Sequence, residues 1–200
     1  MKHFNSATIW GRIKDLNIRH TKKKKLLYAD LQIYCPSNQH GDVLVFGRLW
    51  GAKKAENLNK LYLSNPLTVF KFKGMFTQFK DRDITYTGFN LFNFEVSDEQ
   101  RMRTVFILVG ECKGKRDGDN KEGIIILNVK TGGDGTYRED NSTFEIFMEN
   151  SEIEGLHVGD IIECKGIVED KDAYFGSSIA FKPYAHKLLI KKQAIENEIF

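Results

Sequence analysis

No apolar run in this chain reaches the roughly 18 residues that a membrane-spanning helix needs. The opening Met1-Lys2-His3-Phe4-Asn5 has no apolar signal region, so a cytoplasmic location is the expectation. Cysteine is scarce: Cys35, Cys112 and Cys164 are odd in number, widely spaced and form no C-x-x-C pair. That argues against a structural zinc site and fits free thiols in a reducing compartment. The five histidines, His3, His20, His40, His157 and His186, show no metal-ligand spacing either. There is no Gly-rich phosphate loop and no nucleophile with a His partner. Asp81 and Asp83 sit beside Lys80 and Arg82, where a solvated turn explains them better than a metal does. No catalytic residue, metal or cofactor is expected, and the chain does not read as an enzyme.

Few prolines, three in 200 residues, interrupt what is there. Aromatics are plentiful, with 15 Phe, 7 Tyr and 2 Trp. Charge is unevenly spread behind the net value of +3. Residues 1 to 98 hold 16 Lys and Arg against 8 Asp and Glu, a net of +8. Residues 99 to 200 hold 14 against 19, a net of −5. A basic half joined to an acidic half fits a polyanion-binding unit fused to a unit with another task.

The most informative stretch is Val43 to Trp50. As a strand it places Val43, Val45, Gly47 and Leu49 on one face and Leu44, Phe46, Arg48 and Trp50 on the other. Aromatic rings and a guanidinium on one exposed face form a stacking platform for unpaired bases. The alternative is a strand buried on both faces, against which Arg48 argues. Residues 8 to 16 alternate likewise, with Trp10, Arg12 and Lys14 outward and Gly11 marking a bend or bulge. Lys22, Lys23, Lys24 and Lys25 follow in a turn. The next strand, Leu26 to Tyr34, puts Tyr28, Asp30, Gln32 and Tyr34 on its outer face.

Gly51 to Leu63 fits a helix. Leu67 to Gly74 fits a strand with Lys71 and Lys73 on one face. Phe76 to Thr87 fits a hairpin, and Phe89 to Val96 a last strand. Five strands with a helix between the third and fourth predict an OB-fold barrel. After a polar linker at 97–104 the pattern restarts, at offsets of 92 to 100 residues. Val105 to Cys112 echoes the first strand, Gly123 to Val129 the second, Thr143 to Met148 the third and Asp160 to Gly166 the fourth. Ser177 to Ile190 closes the unit. The predicted fold class is all-β with a minor helix: two tandem five-stranded OB-fold barrels. The expected units are a basic nucleic-acid-binding barrel over 1–97, an acidic packing, oligomerisation or partner-binding barrel over 104–190, and a tail over 191–200. Outward Glu145 and Glu163 weaken any nucleic-acid role for the second barrel.

Several pieces within residues 7 to 96 now carry a family resemblance. Gly11-Arg12-Ile13-Lys14-Asp15 followed by Ile18-Arg19-His20-Thr21, Ala29 to Ile33, Val43 to Leu49, Val69 to Gly74 and Thr85-Tyr86-Thr87 stand in order. Together they resemble the bacterial single-stranded DNA-binding protein family, here as a tandem two-barrel member. The resemblance implies a base-stacking role for Phe46, with Tyr34 and His40 near the places of stacking tryptophans and Phe79 as the hairpin aromatic. Lys73 stands where the family usually has Glu, the helical insertion is longer, and the hairpin is shorter. Glu196 to Phe200 resembles the family's acidic tip, which implies that Ile199 and Phe200 dock replication or repair proteins. Duplicated family members imply a homodimer.

The expected function is sequence-independent binding of single-stranded DNA in replication, recombination or repair, placing the protein at the nucleoid. Arg12, Lys14, Lys22, Lys23, Lys24, Lys25, Arg48, Lys71, Lys73 and Lys80 are the expected phosphate partners. Trp10, Tyr28, Tyr34, Phe46, Trp50, Phe79 and Tyr86 are the stacking candidates. Two rivals stay open. One is an RNA-binding OB module. The other is a scaffold or accessory subunit of a replication or conjugation complex that works through its acidic half.

Overall fold

The computed structural model describes residues 3–21, 25–37, 41–81, 84–99, 101–117, 122–131, 140–170 and 179–192. Within them lie β1 (Phe4–His20), β2 (Leu27–Ser37), β3 (Gly41–Trp50), α1 (Ala52–Ser64), β4 (Val69–Asp81) and β5 (Ile84–Val96). Then follow β6 (Arg103–Asp117), β7 (Glu122–Thr131), β8 (Asp140–Glu149), α2 (Asn150–Ile153), β9 (Ile161–Asp170) and β10 (Ile179–Ile190). Among the described residues no helix is long and apolar enough to cross a membrane.

Each half has one strand order. β1 pairs with β2, β2 with β3, β3 in parallel with β5, β5 with β4, and β4 returns to β1. The second half repeats this through β6, β7, β8, β10 and β9, and β9 returns to β6. That order, with a helix after the third strand, is the OB-fold arrangement. The repeat is visible in its glycines. A Cβ on Gly11 would lie 2.7 Å from the Tyr34 carbonyl oxygen, and one on Gly110 would strike that of Asn128. At both places the first strand crosses the second too closely for any side chain. The third-to-fourth connection differs, since α1 spans 13 residues and α2 four.

The two halves are not separate beads. β1 and β6 pair antiparallel from Phe4–Val109 to Trp10–Arg103. Beneath them Phe181 lies 4.9 Å from Phe76, 5.2 Å from Phe106 and 5.2 Å from Phe144, all edge-on. These rings come from β10, β4, β6 and β8, so one apolar core runs through both halves. Side-chain amides finish the seam. Asn5 exchanges two hydrogen bonds with the Phe76 backbone, at 2.6 and 3.1 Å. Gln78 does the same with the Thr143 backbone.

Two sequence expectations change. The strand, hairpin and strand expected over 67–96 are two continuous arms, β4 and β5. A one-residue slip between Lys73 and Gly74 absorbs the bend that the sequence pattern shows as a break. The linker expected over 97–104 ends early. Arg103 already belongs to β6, and the buried Thr104 hydroxyl donates to the Val168 carbonyl and accepts from its N–H at 2.7 Å.

Cys35, Cys112 and Cys164 are buried free thiols. Burial pushes Cys35 up to about 12 and Cys164 up to about 12, and raises Cys112 as well. Native protein at pH 8 should therefore resist iodoacetamide at all three thiols, and unfolding in guanidinium should expose three. Stability should fall as pH rises from 9 towards 12, where unfolded thiols ionise and buried ones stay protonated. Mass spectrometry of alkylated protein checks the first outcome and a pH series of denaturation curves the second.

Candidate nucleic-acid interface

β1 aims its second half differently from its first. A register shift between Ile13 and Asp15 leaves Lys14 exposed and turns Asp15, Asn17 and Arg19 to the outer face. Leu16 and Ile18 then face the core, opposite Leu31 and Ala29. Three outer rows result across β1, β2 and β3. They are Asp15–Gln32–Phe46, Asn17–Asp30–Arg48 and Arg19–Tyr28–Trp50. Beyond the bulge a fourth row holds Arg12, Tyr34 and Leu44.

Phe46 is 50% exposed and Trp50 41%, while Val43, Val45 and Leu49 are buried beneath them. A strand buried on both faces is thereby ruled out. Arg48 lies between the two rings and is held from below. Its Nε donates to Asp30 Oδ1 at 2.7 Å and its Nη2 to Oδ2 at 3.2 Å, a two-pronged contact. Its guanidinium carbon sits 4.6 Å from the Tyr28 ring centre and 5.6 Å from that of Trp50. Tyr28 and Trp50 themselves are 4.9 Å apart. Arg19 Nε approaches the same carboxylate at 3.6 Å. Asp30 thus holds Arg48 against Tyr28 and Trp50, whose rings are tilted by 41°, and offsets part of its positive charge.

Beside that surface lies a groove of about 420 Å³, walled by Phe46 and Arg48, edged by Asp15, Asn17 and Arg19, and closed by Gly88 of β5. The Tyr34 hydroxyl is hydrogen-bonded to Asp42, which with partial desolvation holds the phenol above its ordinary pKa. It stays protonated through the neutral range.

The remaining expected residues divide. Trp10 is a correction: it is 9% exposed, covered by the Arg103 guanidinium at 4.4 Å, with Lys71 Nζ at 5.6 Å. The β1–β6 ladder puts Arg103 across from it, so it is a seam residue and not a stacking surface. Lys71 and Lys73 are placed on the same seam, opposite Trp10 and Thr8, away from the Phe46 face. Both reach Glu95, at 2.9 and 3.8 Å, and the Lys71 hydrogen bond and charge hold the Glu95 carboxyl below its usual range. Lys25 occupies the β1–β2 turn, where its N–H donates to the Thr21 carbonyl at 3.1 Å. Phe79 and Tyr86 are register partners in the β4–β5 hairpin, next to Lys80 and Thr85. Lys22, Lys23, Lys24, His40, Ile199 and Phe200 lie outside the described residues.

Asp15, Asn17 and Arg19 were not among the expected site residues, and neither was Asp30. The bulge that exposes the first three follows a strand whose alternation looks unbroken to Lys14. Asp30 was legible as an outer residue of β2, and counting register across the β2–β3 pair places it opposite Arg48. The corresponding face of the second half is different. There Ile124 faces Phe147 and Ile126 faces Glu145, which pairs with Arg116. Among the described residues no three His, Cys, Asp or Glu side chains gather as metal ligands.

No protein-family model matches the chain, and no curated protein sequence does. Its fold does have solved counterparts. The wild-type single-stranded DNA binding protein from Thermus aquaticus superposes with a TM-score of 0.70 at 14% identity, covering 97% of each chain. A deletion mutant of that protein superposes with a TM-score of 0.69 at 15% identity, covering 98% of each. The chain shares an all-β fold with these structures along nearly its whole length.

The two tryptophans should behave oppositely. Acrylamide should quench Trp50 readily and Trp10 poorly, so Trp50→Phe should leave a blue-shifted, quencher-resistant emission. Stern–Volmer plots of wild type and variant check this; easy quenching in the variant contradicts the burial of Trp10.

Proposed function

We propose that the chain binds single-stranded DNA without reading a defined sequence, as a replication, recombination or repair factor and not as an enzyme. The observation that carries this reading is the exposed Phe46–Arg48–Trp50 row. Its Arg48 is held by Asp30, on a fold shared with a protein named for binding single-stranded DNA. Exposed rings give successive bases a surface to stack on, each stack contributing about 1–3 kcal/mol. Arg12, Lys14, Arg19 and Lys25 take phosphates in this reading; it also counts Lys22, Lys23, Lys24 and Lys80 as phosphate partners and Phe79 and Tyr86 as stacking residues.

The same reading gives the binding role to the unit 1–97 and a packing or partner role to 104–190. It includes a homodimer at the nucleoid, with Ile199 and Phe200 of the 191–200 tail docking other proteins. An RNA-binding module is the second reading, because stacking treats both sugars alike. Competition between oligo(dT) and oligo(rU) separates the two.

A titration with a dT oligomer of about 30 nucleotides tests the proposal. Affinity should fall steeply with salt, and Phe46→Ala with Trp50→Ala should cost about 2–6 kcal/mol, two stacks' worth. Unchanged affinity in the folded double variant refutes the assignment. Asp30→Asn should steepen the dependence of log K on log salt by roughly 0.7, the increment for one more phosphate contact on a single strand, because the carboxylate that offsets Arg48 and Arg19 is removed.

A further inference from the structure

The groove beside Phe46 has an unusual edge for a surface that meets a polyanion. Asp15 and Asp30 both border it. Arg19 and Arg48 line it too and offset Asp30, so the carboxylate without a cation described beside it is Asp15; a phosphodiester set against Asp15 meets like charge, whereas an uncharged base does not. The backbone of a bound strand therefore runs along the cationic rim of Arg12, Lys14 and Arg19, and the base turns inward.

Once inside, the base meets an ordered row. Phe46, Gln32 and Asp15 are consecutive register partners across β3, β2 and β1. A ring stacked on Phe46 presents its hydrogen-bonding edge to the Gln32 amide and the Asp15 carboxylate. The two acids differ in what they have left to offer. Asp30 already takes both prongs of Arg48 and the approach of Arg19. Asp15 accepts from Asn17 Nδ2 at 2.7 Å, and a carboxylate has about four lone-pair sites. Cytosine and adenine carry an exocyclic amino donor next to a ring-nitrogen acceptor. That pair matches a carboxylate acceptor next to an amide donor. Thymine and uracil turn a carbonyl oxygen to the carboxylate in the same pose, which repels.

We propose that Asp15, with Gln32, makes the Phe46 groove favour cytosine and adenine, whose Watson–Crick edge sets an exocyclic amino donor beside a ring-nitrogen acceptor, over thymine and uracil. The inference rests on the nucleic-acid reading above and adds a preference to it.

The experiment compares oligo(dC) and oligo(dT) of about 30 nucleotides on the full chain at about pH 8, in wild type, Asp15→Asn and Asp98→Asn. Removing a negative charge strengthens both oligomers alike, so the ratio of the two affinities isolates the base contact. Asp98→Asn makes the same charge change outside the groove and should leave the ratio alone. The dC-to-dT affinity ratio should drop about fivefold or more in Asp15→Asn, the size of one lost base contact. An unchanged ratio in folded Asp15→Asn overturns the base preference and leaves the binding reading standing. Failure of wild type to bind either oligomer overturns both.

Discussion

One strand carries the architecture. β1 pairs with β4 along Ala7 to Arg12, with β6 along Phe4 to Trp10, and with β2 from Arg12 to His20. Among the described residues the β1–β6 ladder is the one that joins the two halves. Gly11 lets β1 cross β2 at backbone distance, and the shift after Ile13 turns its far end outward. Its first half therefore builds the seam, where Trp10 is sealed under Arg103. Its second half builds the exposed face with Asp15, Asn17 and Arg19. A change that straightened β1 would disturb both at once.

The charge on that face is arranged, not merely accumulated. Net charge by halves points to the first half as the polyanion-binding unit, yet the strongest cation of the central row is already paired with Asp30. The pair gives geometry in exchange for charge. A bidentate carboxylate keeps the guanidinium against Tyr28 and Trp50. Lys71 and Lys73 share Glu95 in the same manner on the seam. Lys14, with an exposed side chain at the bulge, is better suited to phosphates than Arg48, Lys71 and Lys73, which sit against Asp30 and Glu95.

Much of this was legible in the sequence, because alternation and glycine placement are local. The strands of both halves follow apolar residues two apart, and the echo of Gly11 in Gly110 marks the same crossing in each. Helix α1 lies within one residue of its expected span. What was not legible depends on which strands meet. The β1–β6 ladder leaves no periodic trace, so Trp10 looked as outward as Trp50. The slip at Lys73 and Gly74 resembled a break in the chain, and the bulge at Lys14 hid the outward turn of Asp15. Pairings such as Asp30 with Arg48 need register, which alternation alone does not supply.

A bound single strand is expected on the outer face of β1, β2 and β3. Ultraviolet cross-linking of a mixed-sequence single-stranded oligomer, followed by peptide mass spectrometry, locates it directly. Cross-links should concentrate at Tyr28, Phe46 and Trp50, with none at Trp10. Cross-links confined to the β7–β8 face of the second half, or to the β1–β6 seam, would contradict this placement.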